Sequence, residues 1–288
     1  MTIQTDTTES FWEKVVNEVG EIEMQRADVA PLELRSTDFS DLFGVELPGT
    51  GGQRLFAYYS VPHGEGPFPA ILIAPGYGSV VHVPPHDRRR GFVVLALCAR
   101  GQRMSDGRYA ASFPGLLTDQ IANAVQYPFR GMTADCLTAF DFLTSRPEVD
   151  PSRIGIASGP NAGDLALLTA ALRKDAWAVL VNSPLLFRAA ANRYPLTSAY
   201  PLEELNDYLR FNPDDEEAVL NTLSLFDPIG LADRVGAKVR ISCAPGEVEW
   251  VAPLIRALNG DAEVYEKTGR GYIDRTSDES WLASALTE

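Results

Sequence analysis

The chain has 288 residues, enough for one large α/β domain or two small ones, each able to bury a core. No apolar run reaches the roughly 18 residues that a membrane helix needs, which excludes a spanning protein of the helical kind. A formal net charge of −14 excludes nucleic acid and anionic membrane surfaces as partners, because both would repel it.

Residues 8–26 carry Phe11, Val15, Val16, Val19, Ile22 and Met24 at helical spacing among acidic residues, which predicts an amphipathic packing helix within an N-terminal segment of about 30 residues. The segments 44–47 and 55–61 alternate in polarity on either side of the turn-forming PGTGGQ, as an antiparallel hairpin would. From Pro69 the pattern changes to short apolar runs at 70–74, 92–97, 154–157, 178–181, 239–243 and 263–265. Helical patterns at 132–144, 164–171, 214–225, 248–258 and 278–286 separate them. Apolar strands alternating with helices predict an α/β fold with a mainly parallel, doubly wound sheet, covered on both faces. The stretch from about 183 to 230 breaks the alternation and is rich in Tyr, Pro and Leu, so it reads as a helical cap insertion in a single domain spanning 1–288.

The N-terminus, MTIQTDTTES, has neither a basic leader nor an apolar segment, so no signal peptide is expected. Cys98, Cys136 and Cys243 are odd in number and lie in apolar stretches, as buried free thiols do, which points to the cytoplasm. No cofactor and no metal are expected, since the sequence shows no zinc-like His/Cys cluster, phosphate-cradling loop or dinucleotide fingerprint.

Several motifs in order resemble the acetyl xylan esterase and cephalosporin C deacetylase group of α/β-hydrolases. APGYG (74–78) and PPHD (84–87) are similar to the family's first parallel strand, oxyanion turn and following helix. ARGQ (99–102), YPFRG (127–131), PEVDPSRIGI (147–156), GDLAL (163–167), YPLEELNDYLR (200–210) and TLSLFDPIGLADRV (222–235) continue the match. The resemblance covers roughly residues 30 to 288. It implies the α/β-hydrolase fold, a small acylated substrate and, often, a homo-oligomer.

The resemblance also locates departures. A serine hydrolase sets its nucleophile on a strained G-x-S-x-G elbow, commonly at positive φ, with a His base and an orienting carboxylate. Here the segment is Ser158-Gly159-Pro160-Asn161-Ala162, and Pro160, locked near −65° and lacking an N–H, stands at the nucleophile position. The family's acid aligns with Gly246, with Glu247 one residue on, and its histidine with Arg270, which stays protonated at neutral pH. The Gly76-Tyr77-Gly78 turn, a backbone oxyanion donor in the family, is kept. Ser158 reads as a strand-end serine bonding to backbone, with a displaced nucleophile as the alternative. Glu247 serves equally as a carboxylate of the site or as a helix N-terminal acid. His82, near the oxyanion turn, is a candidate base, whereas His63 reads as a loop residue and His86 as structural. Arg270 in a former catalytic pocket suits an anionic substrate. Tyr77, Tyr127, Tyr194 and Trp250 are candidate walls, although aromatic residues at such places more often simply pack. Asn161 is a candidate substrate contact and Tyr77 also a catalytic one, and the run 87–90, Asp-Arg-Arg-Arg, reads as a solvated helix face.

Three functions are consistent with this. The first is non-hydrolytic chemistry on an acylated small molecule, foremost the elimination of acetate from an O-acetylated, tetronate-like natural-product intermediate of the polyketide kind. The second is an esterase with a displaced site such as Ser158, Glu247 and His82. The third is a catalytically silent binding protein.

Overall fold

The computed structural model describes residues 7–192 and 200–288. Tyr194 therefore lies outside the described residues. The first element is the helix α1 (Thr8–Gly20), which starts where Thr7 Oγ1 accepts the Ser10 N–H. Its buried face, Phe11, Trp12, Val15 and Val19, has the spacing read from the sequence, and a short 3₁₀ turn follows at Met24–Arg26.

The chain then builds one nine-stranded sheet. Its strands are β1 (Asp28–Pro31), β2 (Ser40–Pro48), β3 (Arg54–Pro62), β4 (Phe68–Ala74), β5 (Val93–Cys98), β6 (Val149–Ser158), β7 (Ala176–Asn182), β8 (Lys238–Cys243) and β9 (Ala262–Glu266), in the order β1-β2-β3-β5-β4-β6-β7-β8-β9. The hairpin is present as β2 and β3, with Leu47 opposite Leu55. β1 was not legible, because four residues with only Val29 half-buried leave no periodic signal. β3 meets β5 antiparallel, and from β5 to β9 every pairing is parallel, as the apolar runs predicted.

Helices cover both faces. α3 (Pro128–Thr144), α4 (Gly163–Leu172) and α8 (Val248–Ala257) join α1 in the larger core. α9 (Gly271–Thr287) closes a smaller core on the other face, where Leu282 and Leu286 pack among Ile71, Ala157 and Leu180. The short helix α2 (His86–Arg89) lies beside α9, joined by Arg88 Nε and Glu279 Oε2 at 2.6 Å. The reading of the 87–90 run as a solvated face holds for Asp87 and Arg90, which are exposed, and fails for Arg88 and Arg89. Arg89 is buried, donating to Ser60 Oγ at 3.0 Å and to the Arg35 carbonyl at 3.1 Å, and the Arg90 guanidinium lies 4.0 Å from the Phe39 ring centre.

Between β7 and β8 the chain passes through α5 (Ala189–Asn192), α6 (Glu203–Phe211), α7 (Glu216–Phe226) and a 3₁₀ helix, Pro228–Arg234. Trp12 pins α1 to this excursion, its indole N–H donating to the Leu225 carbonyl at 2.9 Å. Among the described residues no helix is long and apolar enough to cross a membrane.

Candidate active site

The strand order reverses direction at β4. β4 leads to α2 on the α9 face, and its neighbour β6 leads to α4 on the other face. The crevice between their C-terminal ends is where open α/β sheets place a site. It lies between the turn 75–79 and the turn 159–162, with Ala74 paired to Ser158 at the base.

These two turns touch backbone to backbone. A Cβ on Gly159 would stand 2.5 Å from Gly76 N, so that position needs glycine, and one on Gly76 would meet Pro160 Cδ at a tight 3.1 Å. Gly159 N–H donates to the Ala74 carbonyl at 3.0 Å. The Pro160 carbonyl accepts the Tyr77 N–H, also at 3.0 Å. The backbone donor of the Gly76-Tyr77-Gly78 turn is thus engaged inside the protein. The left-handed conformation falls on Asn161, with φ of +53°, one residue past Pro160, whose ring cannot adopt it. Pro160 and Asn161 are both exposed.

The turn is clamped from beneath by Gln102, which is buried. Its amide nitrogen donates to the carbonyls of Gly76 at 3.1 Å and Gly78 at 2.5 Å, while its oxygen accepts the Ala99 N–H at 2.9 Å. Arg100, two residues earlier, is locked to fully buried Asp135 through its side chain (Nη2–Oδ1 2.6 Å) and its own N–H (2.8 Å).

From above, Tyr77 is held by α6. Its hydroxyl donates to Glu204 Oε1 at 3.0 Å and accepts the Leu117 N–H at 3.0 Å, and Glu204 Oε2 accepts the Gly115 N–H at 2.9 Å. Burial, then the Glu204 carboxylate, hold the Tyr77 phenol well above its ordinary range, so it stays protonated. Phe113 and Tyr200 meet the Tyr77 ring edge-on at 5.6 and 5.7 Å. Gln102 and Glu204 lie in the ARGQ and YPLEELNDYLR motifs, yet nothing in either string says which atoms they hold.

The remaining sequence candidates disperse. Tyr127 is not a pocket wall: it is 1% exposed, donates to the Leu117 carbonyl at 2.9 Å and stacks on Phe129. Ser158 Oγ accepts the Asn182 N–H at 2.7 Å, tying β6 to β7. Glu247 Oε2 accepts the Ala244 N–H at 3.0 Å and so caps its own turn before α8. Trp250 packs edge-on against Phe187 at 5.0 Å. His82 is exposed, and so is Arg270, which precedes α9 and whose N–H donates to Thr268 Oγ1 at 3.2 Å. Among the described residues no hydrogen bond joins Pro160, Glu247, His82 and Arg270, and no group of three or more His, Cys, Asp or Glu is arranged to hold a metal.

The profile of the acetyl xylan esterase family matches residues 2–249. The chain belongs to that family. An acetyl esterase of Xylanibacter ruminicola is 25% identical over 220 residues, which are 72% of this chain and 49% of that protein, so the chain spans about half the length of that relative. The acetyl xylan esterase of Paenibacillus sp. R4 superposes with a TM-score of 0.84 at 24% identity, covering 99% of this chain and 96% of that one. Acetyl xylan esterase 1 of Thermoanaerobacterium superposes at 0.80 with 22% identity, over 98% and 99% of the two chains. This family member has the α/β-hydrolase fold, and the relatives are named for ester hydrolysis. At these identities the structural likeness carries the fold, and the chemistry has to be argued from the site.

Proposed function

We propose that this member of the family binds an acylated small molecule in the crevice between β4 and β6 and does not process it through an acyl-enzyme. The observation that carries this is Pro160 at the elbow, with its carbonyl accepting the Tyr77 N–H at 3.0 Å. Acyl transfer through a serine needs a nucleophile on the elbow and free donors for the developing oxyanion. Pro160 supplies no nucleophile, and the Tyr77 donor is occupied. The other two triad positions point the same way. Gly246 has no side chain, and the neighbouring Glu247 carboxylate is spent on its own turn. Arg270 cannot take a proton. Hydrolysis from a displaced Ser158 is disfavoured by the burial of that hydroxyl and its bond to the Asn182 N–H.

Elimination of acetate is the finer reading, and one observation favours it. Among the described residues the exposed Arg270 guanidinium, which follows the edge strand β9, has no ion-pair partner, so it is free to pair with the anionic part of a substrate that extends beyond the crevice. A silent binding protein is the reading if no turnover is found. The test is incubation with a chromogenic acetate ester and with an acetylated tetronate in heavy-oxygen water. The proposal expects no burst, no labelling by a fluorophosphonate, and no heavy oxygen in any acetate released. A burst, or labelled acetate, overturns it. Unlabelled acetate with an alkene product selects elimination.

A further inference from the structure

Asp164 is the second residue of α4, directly behind the elbow, and its carboxyl is completely buried with no hydrogen-bond partner on either oxygen. An ionised carboxylate cannot remain there without a large desolvation cost. The segment packed over it is 183–188, the start of the excursion between β7 and β8. A Cβ on Gly163 would meet Pro184 Cα at 3.1 Å, so the segment sits in direct contact with the first turn of α4. The backbone amides of Leu185 and Leu186 lie close enough to lower the Asp164 pKa, but not in hydrogen-bonding geometry. Both ends of the segment are left-handed at non-glycine residues, Ser183 at +49° and Arg188 at +52°, a conformation that needs support from its surroundings. That support at one end is Asp227, whose Oδ2 accepts the Arg188 N–H at 2.9 Å.

We propose that Asp164 is a proton-operated catch: protonated, it lets residues 183–188 close over α4, and ionised, it releases them. The excursion that carries Glu204, and so the grip on Tyr77, follows directly from this segment. The catch does not depend on which reaction the crevice performs.

The charges around Asp164 support the direction. Burial first, and then the Asp227 carboxylate, push the Asp164 carboxyl up to about 7. Burial likewise raises Asp227, partly offset by the Ile229 and Arg188 amides. No cation answers Asp164 from the elements packed on α4, whereas the charge of Arg188, at the end of the segment, lowers Asp227. β7 carries no charged side chain. On α3, Arg130 pairs with Glu18, Asp135 with Arg100 and Asp141 with Arg173. On β6, Arg153 pairs with Asp150, and on the 3₁₀ helix Arg234 pairs with Glu9 while Asp233 is exposed. The Tyr127 phenol, the other polar group nearby, remains protonated because it is buried. When Asp164 and Asp227 both ionise they repel each other. Displacing the segment packed on the first turn of α4 then gives the carboxylate access to water.

Hydrogen exchange of the full chain tests this, read on peptides covering 183–190 and corrected for intrinsic exchange. A carboxyl titrating at about 7 when covered and at its ordinary value when released should lower protection about ten-fold between pH 6 and pH 8. Peptides from β6 should not change. Asp164→Asn should keep protection flat across the same range. Flat protection in the wild type overturns the proposal, as does an equal fall in Asp164→Asn. If that variant does not fold, the wild-type series alone decides, with a fall confined to 183–190 supporting the catch and a flat or uniform response refuting it.

Discussion

Replacing Tyr77 by Phe distinguishes a residue that builds the site from one that reacts in it. The substitution keeps the ring and its edge contacts with Phe113 and Tyr200, and removes only the hydroxyl. Two bonds go with it. One runs to the Glu204 carboxylate, a charged acceptor worth about 1.5–3 kcal/mol in net terms, and the other comes from the Leu117 N–H, where an orphaned buried donor costs about 1–3 kcal/mol. Glu204 keeps its bond from the Gly115 N–H, and Tyr77 is only partly buried, so the lower half of each range applies. The sum is about 2.5–4 kcal/mol of lost stability. Urea unfolding at neutral pH, with an unchanged slope, would measure it, and Glu204→Gln should also destabilise, because the single amide oxygen can accept from Tyr77 or from the Gly115 N–H but not both. A Tyr77→Phe protein that unfolds within about 0.5 kcal/mol of wild type, but loses turnover or ligand affinity, would refute the structural role given to this hydroxyl.

Other expectations follow from the same geometry. Pro160→Ser alone should give no burst with an activated acetate ester, because the residue 160 carbonyl still holds the Tyr77 N–H and position 270 still lacks a base. Stopped-flow absorbance checks this. Arg100→Ala should destabilise by about 3–5 kcal/mol, since Asp135 is left buried with only the backbone N–H of residue 100; removing both charges with Arg100→Met and Asp135→Leu should recover part of it, because the residue 100 N–H then loses its acceptor. Asp164→Asn bears on stability as well as on exchange. The folded carboxyl is raised from 3.8 to about 7, so wild-type stability is fullest with the proton on and is lost as pH rises through that window. At pH 8 the variant should therefore be the more stable by up to about 4 kcal/mol, and by less if the segment opens first. Urea midpoints at pH 5 and pH 8 would show it.

The sheet was legible because β4 to β8 are buried on both faces, and two-sided burial writes itself as unbroken apolar runs. The edge strand β1 has no such constraint and left no trace. In the crevice, the identity of Pro160 was readable, but the destination of its carbonyl was not, since a backbone bond to Tyr77 has no residue code. The same holds for Tyr127, whose place in YPFRG suggested a pocket wall until its burial was known. Asp164 was read only as the start of a helical pattern, because one carboxylate at a helix N-terminus is commonplace and only its depth makes it unusual.

The bond from Tyr77 N–H to the Pro160 carbonyl also bears on how the crevice competes for ligands. An acyl oxygen seeking that donor must displace an acceptor tethered a few ångströms away on the same chain. Tethered groups act at effective concentrations that a freely diffusing metabolite does not approach. Any acyl group bound here would therefore be selected by what its remainder offers to the exposed Pro160–Asn161 turn, and not by that donor. Shortening or re-threading the 159–162 turn, more than restoring a hydroxyl at 160, is the change that would hand the donor back to solvent.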